Sequence, residues 1–157
     1  MSETAYTPGP LLDAANTTAT ALWNDSSDLE ELKRSISFGA VGATCNPVIA
    51  YTTISKHLDI WGPRIQAIAD ANPTWTESQI GWQAVKDMSV EAAEYLRPAF
   101  ERYEGRNGRL SMQTDPRYHR DAKALADQAF EFHSLAENIV VKIPATRVGI
   151  EAIEDAT

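Results

Sequence analysis

Four strand-like segments in this sequence end in a polar side chain: Asp25 after Thr20-Ala21-Leu22-Trp23, Asn46 after Ala40–Cys45, Gln113 near the end of the alternating polar and apolar Arg109–Thr114, and Lys142 within Ile139–Ile143. A carboxylate, two amides and an amine brought together would make an aldol-type site. Lys142 is the most informative of them. Lysine is rarely placed in an apolar segment such as Val140-Val141-Lys142-Ile143-Pro144 without cause. Desolvation there would disfavour the ammonium and free the amine to attack a carbonyl, giving a Schiff base that serves as an electron sink for C–C cleavage. Asp25 could move a proton to and from a substrate hydroxyl. Asn46 could bind a hydroxyl, and Gln113 could hold a hydroxyl or a water. Each residue also has a plainer reading. Lys142 could be an edge-strand lysine reaching water, and Asp25 a helix N-terminal acid. Asn46 before Pro47 could start a turn, and Gln113 could be a satisfied strand residue.

The elements that must position these residues follow from periodicity. The four segments read as strands, and Ile139–Ile143 is the richest in β-branched residues. Between the first two strands, Ser27 and Glu30 have capping-box spacing and Leu29, Leu32 and Ile36 fall on one helical face. Gly39 can end that helix. Pro47 suits the first turn of the next helix, which Tyr51, Ile54, Leu58 and Trp61 predict to be one amphipathic element. Residues 62–105 read as further helices punctuated at Gly62-Pro63, Asn72-Pro73 and Ser89, with Thr76 and Gln79 as a second capping box. Leu96, Phe100 and Tyr103 line the last of these helices, and Pro98 can kink it. Asp115-Pro116 opens a long helix whose face is Ala122, Leu125, Ala129, Phe132 and Ala136, and Asn138 ends it. Residues 147–157 begin another helix, and residues 1–10 are expected to form a flexible lead-in. Strand–helix units repeated four times mean an α/β fold with parallel strands, either an open doubly wound sheet or part of a (β/α)₈ barrel. No strand is followed by G-x-G-x-x-G or by G-x-x-x-x-G-K-[ST], so nucleotide-binding versions of the open sheet lose ground.

Composition narrows the function classes. The 157 residues suit one domain and are 43% hydrophobic, enough for a real core. With 14 Lys+Arg against 22 Asp+Glu the net charge is −8, which argues against nucleic acid and against a polybasic membrane surface. No apolar run approaches the ~20 residues of a membrane span, and MSETAYTPGP lacks the regions of a signal peptide. A single cysteine excludes a disulfide framework and suits a reducing compartment, so the expectation is a soluble cytoplasmic protein. His57, His119 and His133 show no ligand spacing with carboxylates or Cys45, so no metal site is expected. Cys45 reads as a small buried strand residue, and Trp23, Trp61, Trp75 and Trp82 as packing rather than a stacking platform.

Four stretches resemble the transaldolase family: Leu22-Trp23-Asn24-Asp25-Ser26, Gly42-Ala43-Thr44-Cys45-Asn46-Pro47, Leu110-Ser111-Met112-Gln113-Thr114-Asp115-Pro116-Arg117 and Val141-Lys142-Ile143-Pro144-Ala145-Thr146. The second and fourth are specific signatures, and all four run in family order from about residue 20 onward. The resemblance implies a TIM-type (β/α)₈ barrel, present here as its first four strand–helix units. It implies transfer of a three-carbon dihydroxyacetone unit between sugar phosphates, as in the pentose phosphate pathway, with no metal or organic cofactor. It implies Lys142 as the imine-forming residue, Asp25 as acceptor of the C4 hydroxyl proton, Asn46 as a hydroxyl ligand and Thr146 as a structural residue.

This sequence departs from the family pattern in two ways. The family's third strand carries Glu where this sequence has Gln113. An amide does not titrate and cannot act as a base, though it can orient a water. Fructose-6-phosphate aldolases, which resemble transaldolases, use a Gln there, so aldol cleavage or condensation without transfer is an alternative. The second departure is length, since a complete barrel takes ~250 residues. The family's phosphate-binding Ser and Arg groups lie on strands beyond the four found here. The expectation is the N-terminal part of a larger enzyme. A half barrel would expose two sheet edges and would be poorly stable unless it formed a homo-oligomeric pseudo-barrel or rearranged. A third reading is an inactive piece, or a binding or assembly module that keeps a remnant site.

Overall fold

A computed structural model of the protein describes residues 6–157. Its sheet has four parallel strands in the order β1 (Leu22–Asn24), β2 (Ala40–Cys45), β3 (Arg109–Gln113) and β4 (Ile139–Lys142). Spatial order matches chain order, so no strand is inserted between earlier ones. A doubly wound sheet needs a reversal of strand order, and this sheet has none. It is the α/β pattern of a singly wound barrel, four strands of a TIM-type fold.

The helices are α1 (Pro10–Thr17), α2 (Leu29–Ser37), α3 (Pro47–Lys56), α4 (Leu58–Ala71), α5 (Glu77–Arg102), α6 (Ala122–His133) and α7 (Arg147–Ala156). Leu32, Ala43, Cys45, Met88, Ala92, Leu96, Leu110, Met112, Phe132 and Ile139 join in one core between the sheet and its helices. A smaller cluster of Leu125, Ala126 and Ala152 joins α6 to α7. Strand pleating assigns the two faces. Ala43 and Cys45 on β2, Leu110 and Met112 on β3, and Ile139 on β4 point into the core. Thr44, Ser111, Gln113, Val140 and Lys142 alternate with them and belong to the opposite face.

On that opposite face Trp23 lies flat against Gly42. A Cβ at Gly42 would stand 2.4 to 2.8 Å from three atoms of the Trp23 ring, so only glycine permits the contact. Gly42→Ala is expected to expel the ring and cost about 1–3 kcal/mol as overpacking. A lower thermal midpoint with altered tryptophan fluorescence would show it. Gly149 allows a second close approach, because a Cβ there would lie 1.8 Å from the Pro144 carbonyl oxygen. This packs the start of α7 onto the segment that leaves β4.

Several local expectations are corrected. The cap of α2 is Asp28, not Ser27; its Oδ1 accepts from the Glu30 and Glu31 amides at 3.0 and 3.1 Å. Ser27 is buried instead and donates to Cys45 Sγ and Met88 Sδ. The stripe from Tyr51 to Trp61 spans two helices that break at His57; Trp61 is buried, whereas Tyr51 and Leu58 are exposed. Ser89 does not punctuate a helix. It lies inside the 26-residue α5, where its hydroxyl returns to the Val85 carbonyl. The capping box of Thr76 and Gln79 is present at the start of α5. Asp115-Pro116 opens a 3₁₀ turn (Pro116–Tyr118), and α6 starts later under its own cap, Asp121. Helix α1 has no counterpart in the periodicity reading. Of the expected flexible lead-in, residues 1–5 lie outside the described residues, and the Thr7 amide donates to the Ser37 carbonyl.

Asp28 Oδ2 also accepts from His57 Nε2, 2.9 Å away. Burial pushes the Asp28 carboxyl up, but the Glu31 amide, the His57 ring and the Glu30 amide together hold it below the ordinary value. The unfolded reference is about 3.9. A depressed folded value means the stabilisation is complete above that pH and is lost as pH falls through the folded value. Asp28→Asn keeps a capping oxygen and removes the charge. It is expected to lower the melting temperature near neutrality, and its deficit should shrink below about pH 4, where the parent's carboxylate protonates as well. Melting curves across that range measure this.

Candidate active site

The four chemistry-bearing residues all come from the C-terminal ends of the strands, where a parallel barrel gathers its functional groups. Asp25 follows β1 directly and is exposed. Its Oδ1 accepts a hydrogen bond from Thr44 Oγ1 at 2.5 Å, which places the carboxylate on the same face as Thr44. Asn46 follows β2 and is the N-cap of α3. Its Oδ1 accepts from the Val48 and Ile49 amides at 2.9 and 3.0 Å, leaving the Nδ2 hydrogens as its means of binding a ligand. Gln113 ends β3, and its register partner is Lys142 at the end of β4.

The segments carrying Gln113 and Lys142 are tied together. The Thr114 amide donates to the Lys142 carbonyl at 3.2 Å, and the Asp115 amide donates to Gln128 Oε1 at 2.6 Å. Asp115 is buried and accepts from Trp82 Nε1 at 3.0 Å and from the Arg117 guanidinium. Burial raises the Asp115 carboxyl, yet Arg117 and Trp82 outweigh it and hold the group below the ordinary carboxylate range. Asp115 therefore stays charged and locks the loop after Gln113. Beyond Lys142, Thr146 caps α7 by accepting from the Gly149 amide at 3.0 Å.

The Lys142 side chain is exposed, so the expected burial of its ammonium is not provided by the described residues. Among those residues it forms no side-chain hydrogen bond or ion pair. Asp25 and Lys142 sit at the ends of the two outer strands, three strand spacings apart, roughly 14 Å along the sheet. Gln113 and Asn46 stand between them. The result is an open polar shelf rather than an enclosed pocket. A cavity of about 830 Å³ lies at the other end of the strands, lined by Ala21, Gly39, Ala40, Tyr95 and Arg102, and none of the four residues borders it.

Thr44 is the residue the sequence reading missed. It occupies the strand position two before Asn46, and that i, i+2 spacing was the available signal. Cys45, its neighbour, is buried in the core, where burial pushes the thiol up and away from thiolate chemistry. Among the described residues no three His, Cys, Asp or Glu side chains group as a metal site. No described helix is long and apolar enough to cross a membrane.

A family model and several curated proteins match this chain. A model of the family described as Transaldolase/Fructose-6-phosphate aldolase matches residues 22–157, which include all four strands and all four candidate residues. "Transaldolase 2" of Streptomyces avermitilis is 35% identical over 117 residues, covering 73% of this chain and 31% of that protein. "Transaldolase" of Mycobacterium ulcerans is 29% identical over 154 residues, covering 92% of this chain and 40% of its own length. "Transaldolase" of Thermobifida fusca is 35% identical over 109 residues, 60% of this chain and 30% of that protein. The chain thus spans about a third of the length of the curated relatives it matches. With a singly wound parallel sheet, a lysine and a carboxylate at its C-terminal end, and a family match running from β1 to the last residue, the chain belongs to the transaldolase/fructose-6-phosphate aldolase family.

Proposed function

We propose that the shelf formed by Asp25, Asn46, Gln113 and Lys142 carries transaldolase-type aldol chemistry on a ketose phosphate, with Lys142 as nucleophile. The observation that carries this reading is the delivery of all four side chains by successive parallel strands to one end of the sheet. The Lys142 amine adds to the substrate C2 carbonyl and water is lost, leaving an iminium ion. Asp25 takes the C4 hydroxyl proton as the C3–C4 bond breaks. The bonding electrons move onto C3 and are delocalised to the iminium nitrogen as an enamine, and an aldehyde departs. Addition of that enamine to a second aldose completes transfer of a dihydroxyacetone unit. Asn46 Nδ2 donates to a substrate hydroxyl, because its Oδ1 is committed to capping α3.

Gln113 favours a second reading, aldol cleavage without transfer. Its amide orients the water that hydrolyses the imine but does not activate it as a carboxylate would. In that case the enamine is protonated at C3 and free dihydroxyacetone leaves.

The test is product analysis with fructose 6-phosphate, with and without erythrose 4-phosphate as acceptor. Transfer predicts that glyceraldehyde 3-phosphate release beyond one equivalent per protein requires the acceptor. The second reading predicts release without it, together with free dihydroxyacetone. No release in either arm, at any protein concentration, would contradict both. Catalysis by a soluble cytoplasmic enzyme of sugar-phosphate metabolism is the role this reading assigns.

A further inference from the structure

We infer that Thr44 is a positioning residue that aims the Asp25 carboxylate at the proton it removes. The inference rests on the aldol reading above and deepens it.

Asp25 lies just past the end of β1, in a bend and exposed. Neither helical nor strand hydrogen bonding fixes its side chain. Free rotation about two side-chain bonds would leave the carboxylate sampling several orientations. The contact that fixes it is the Thr44 hydroxyl, at 2.5 Å from Oδ1. Thr44 is suited to the task for three reasons. It sits on β2, which is paired on both sides, to β1 and to β3, so its backbone is held. Its β-branched side chain has little rotamer freedom in a strand. Its neighbours Ala43 and Cys45 are buried in the core and fix the pleat, so the hydroxyl must project onto the polar shelf. Register agrees: Asn24 is level with Ala43, so Asp25 comes level with Thr44.

The chemistry follows from counting protons and lone pairs. A threonine hydroxyl has one proton to donate. Donated to Oδ1, it holds that oxygen and leaves Oδ2 free to accept the C4 hydroxyl proton. Thr44 itself gains and loses no proton in the cycle. Hydrogen bonds to charged groups and correct orientation of a catalytic base both predict a loss of about 10- to 100-fold when the donor is removed. The loss should fall on C–C cleavage alone, because imine formation at Lys142 does not use Asp25.

The experiment separates those two steps in the full chain. The protein is mixed with fructose 6-phosphate, quenched with borohydride over a time course, and the adducts on Lys142 are weighed. A six-carbon phosphorylated adduct reports the imine before cleavage, and a three-carbon adduct reports it afterwards. Thr44→Val keeps the shape and β-branching but has no donor. The expected result is an unchanged total of Lys142 adduct, with the six-carbon share raised and the three-carbon adduct appearing about 10- to 100-fold more slowly. Thr44→Ser, which restores the hydroxyl, should recover most of the parental partition. An unchanged partition in Thr44→Val would overturn the role of Thr44 while leaving the aldol reading intact. So would an equal fall of both adducts in Thr44→Val and Thr44→Ser, which marks a structural role. No adduct in the parent chain would overturn the aldol reading, and the role of Thr44 with it.

Discussion

Lys142→Met is expected to abolish C–C cleavage and to leave the fold almost untouched. The two effects have separate physical causes. The Lys142 side chain is exposed and, among the described residues, makes no hydrogen bond or ion pair, so its replacement removes no stabilising contact. Surface changes of this kind fall within about 0.5 kcal/mol. Activity depends on it for a different reason. Without the amine there is no imine and no electron sink, so the carbanion at C3 would have to form unaided. Removing a covalent pathway as a whole returns the reaction toward its uncatalysed rate, a loss on the order of 10⁶-fold or the floor of the assay. Lys142→Arg should do no better, because the guanidinium stays protonated and does not add to a carbonyl. Aldehyde release and circular-dichroism melting measure the two effects on one preparation. A Lys142→Met protein that still cleaves fructose 6-phosphate would remove the lysine from the mechanism.

Asp25→Asn is expected to lower cleavage by about 10²- to 10⁴-fold, the usual contribution of a positioned base. The substitution preserves shape, and its amide oxygen can still accept from Thr44. The structural cost is therefore small, and what disappears is the capacity to take a proton. The signature is a split between steps: imine formation at Lys142 continues, bound ketose accumulates and the aldehyde fails to appear. KM should change little while kcat falls, since an interaction used in the transition state is being removed. Stopped-time product assays beside adduct counts would show this. Equal loss of adduct and product would instead place Asp25 in substrate binding.

The parts of the fold legible in the sequence were those governed by local patterning. β2 begins and ends where its small and β-branched residues do, from Ala40 to Cys45. β3 and β4 each stop one residue short of the expected segment, at Gln113 and Lys142, the last register pair. The box at Thr76 is likewise local and present, and Ala122, Leu125, Ala129 and Phe132 lie on α6, but the helix ends at His133, short of the expected Ala136 and Asn138. What the sequence did not disclose depends on distant partners. Ser27 has the spacing of a cap, yet Cys45 and Met88 draw its hydroxyl into the core and Asp28 takes the helix end. Ser89 resembles a break but returns its hydrogen bond to the preceding turn and lets α5 continue. Thr44 looks like one more strand residue until β1 brings Asp25 beside it. Among the site residues, the strand-end positions of Asp25, Asn46, Gln113 and Lys142 were readable from breaks in the strand-like segments. The commitment of Asn46 Oδ1 to α3 and the exposure of Lys142 were not, since both depend on what packs nearby.

The central claim is that Lys142 forms a Schiff base with a ketose. Borohydride trapping tests it most directly. The protein is incubated with dihydroxyacetone or fructose 6-phosphate, reduced, digested and mapped by mass spectrometry. The account predicts a three-carbon or six-carbon secondary amine on Lys142 and on no other lysine, absent when borohydride or substrate is withheld. Reduction that leaves Lys142 unmodified, or that labels the protein's lysines indiscriminately, would contradict it.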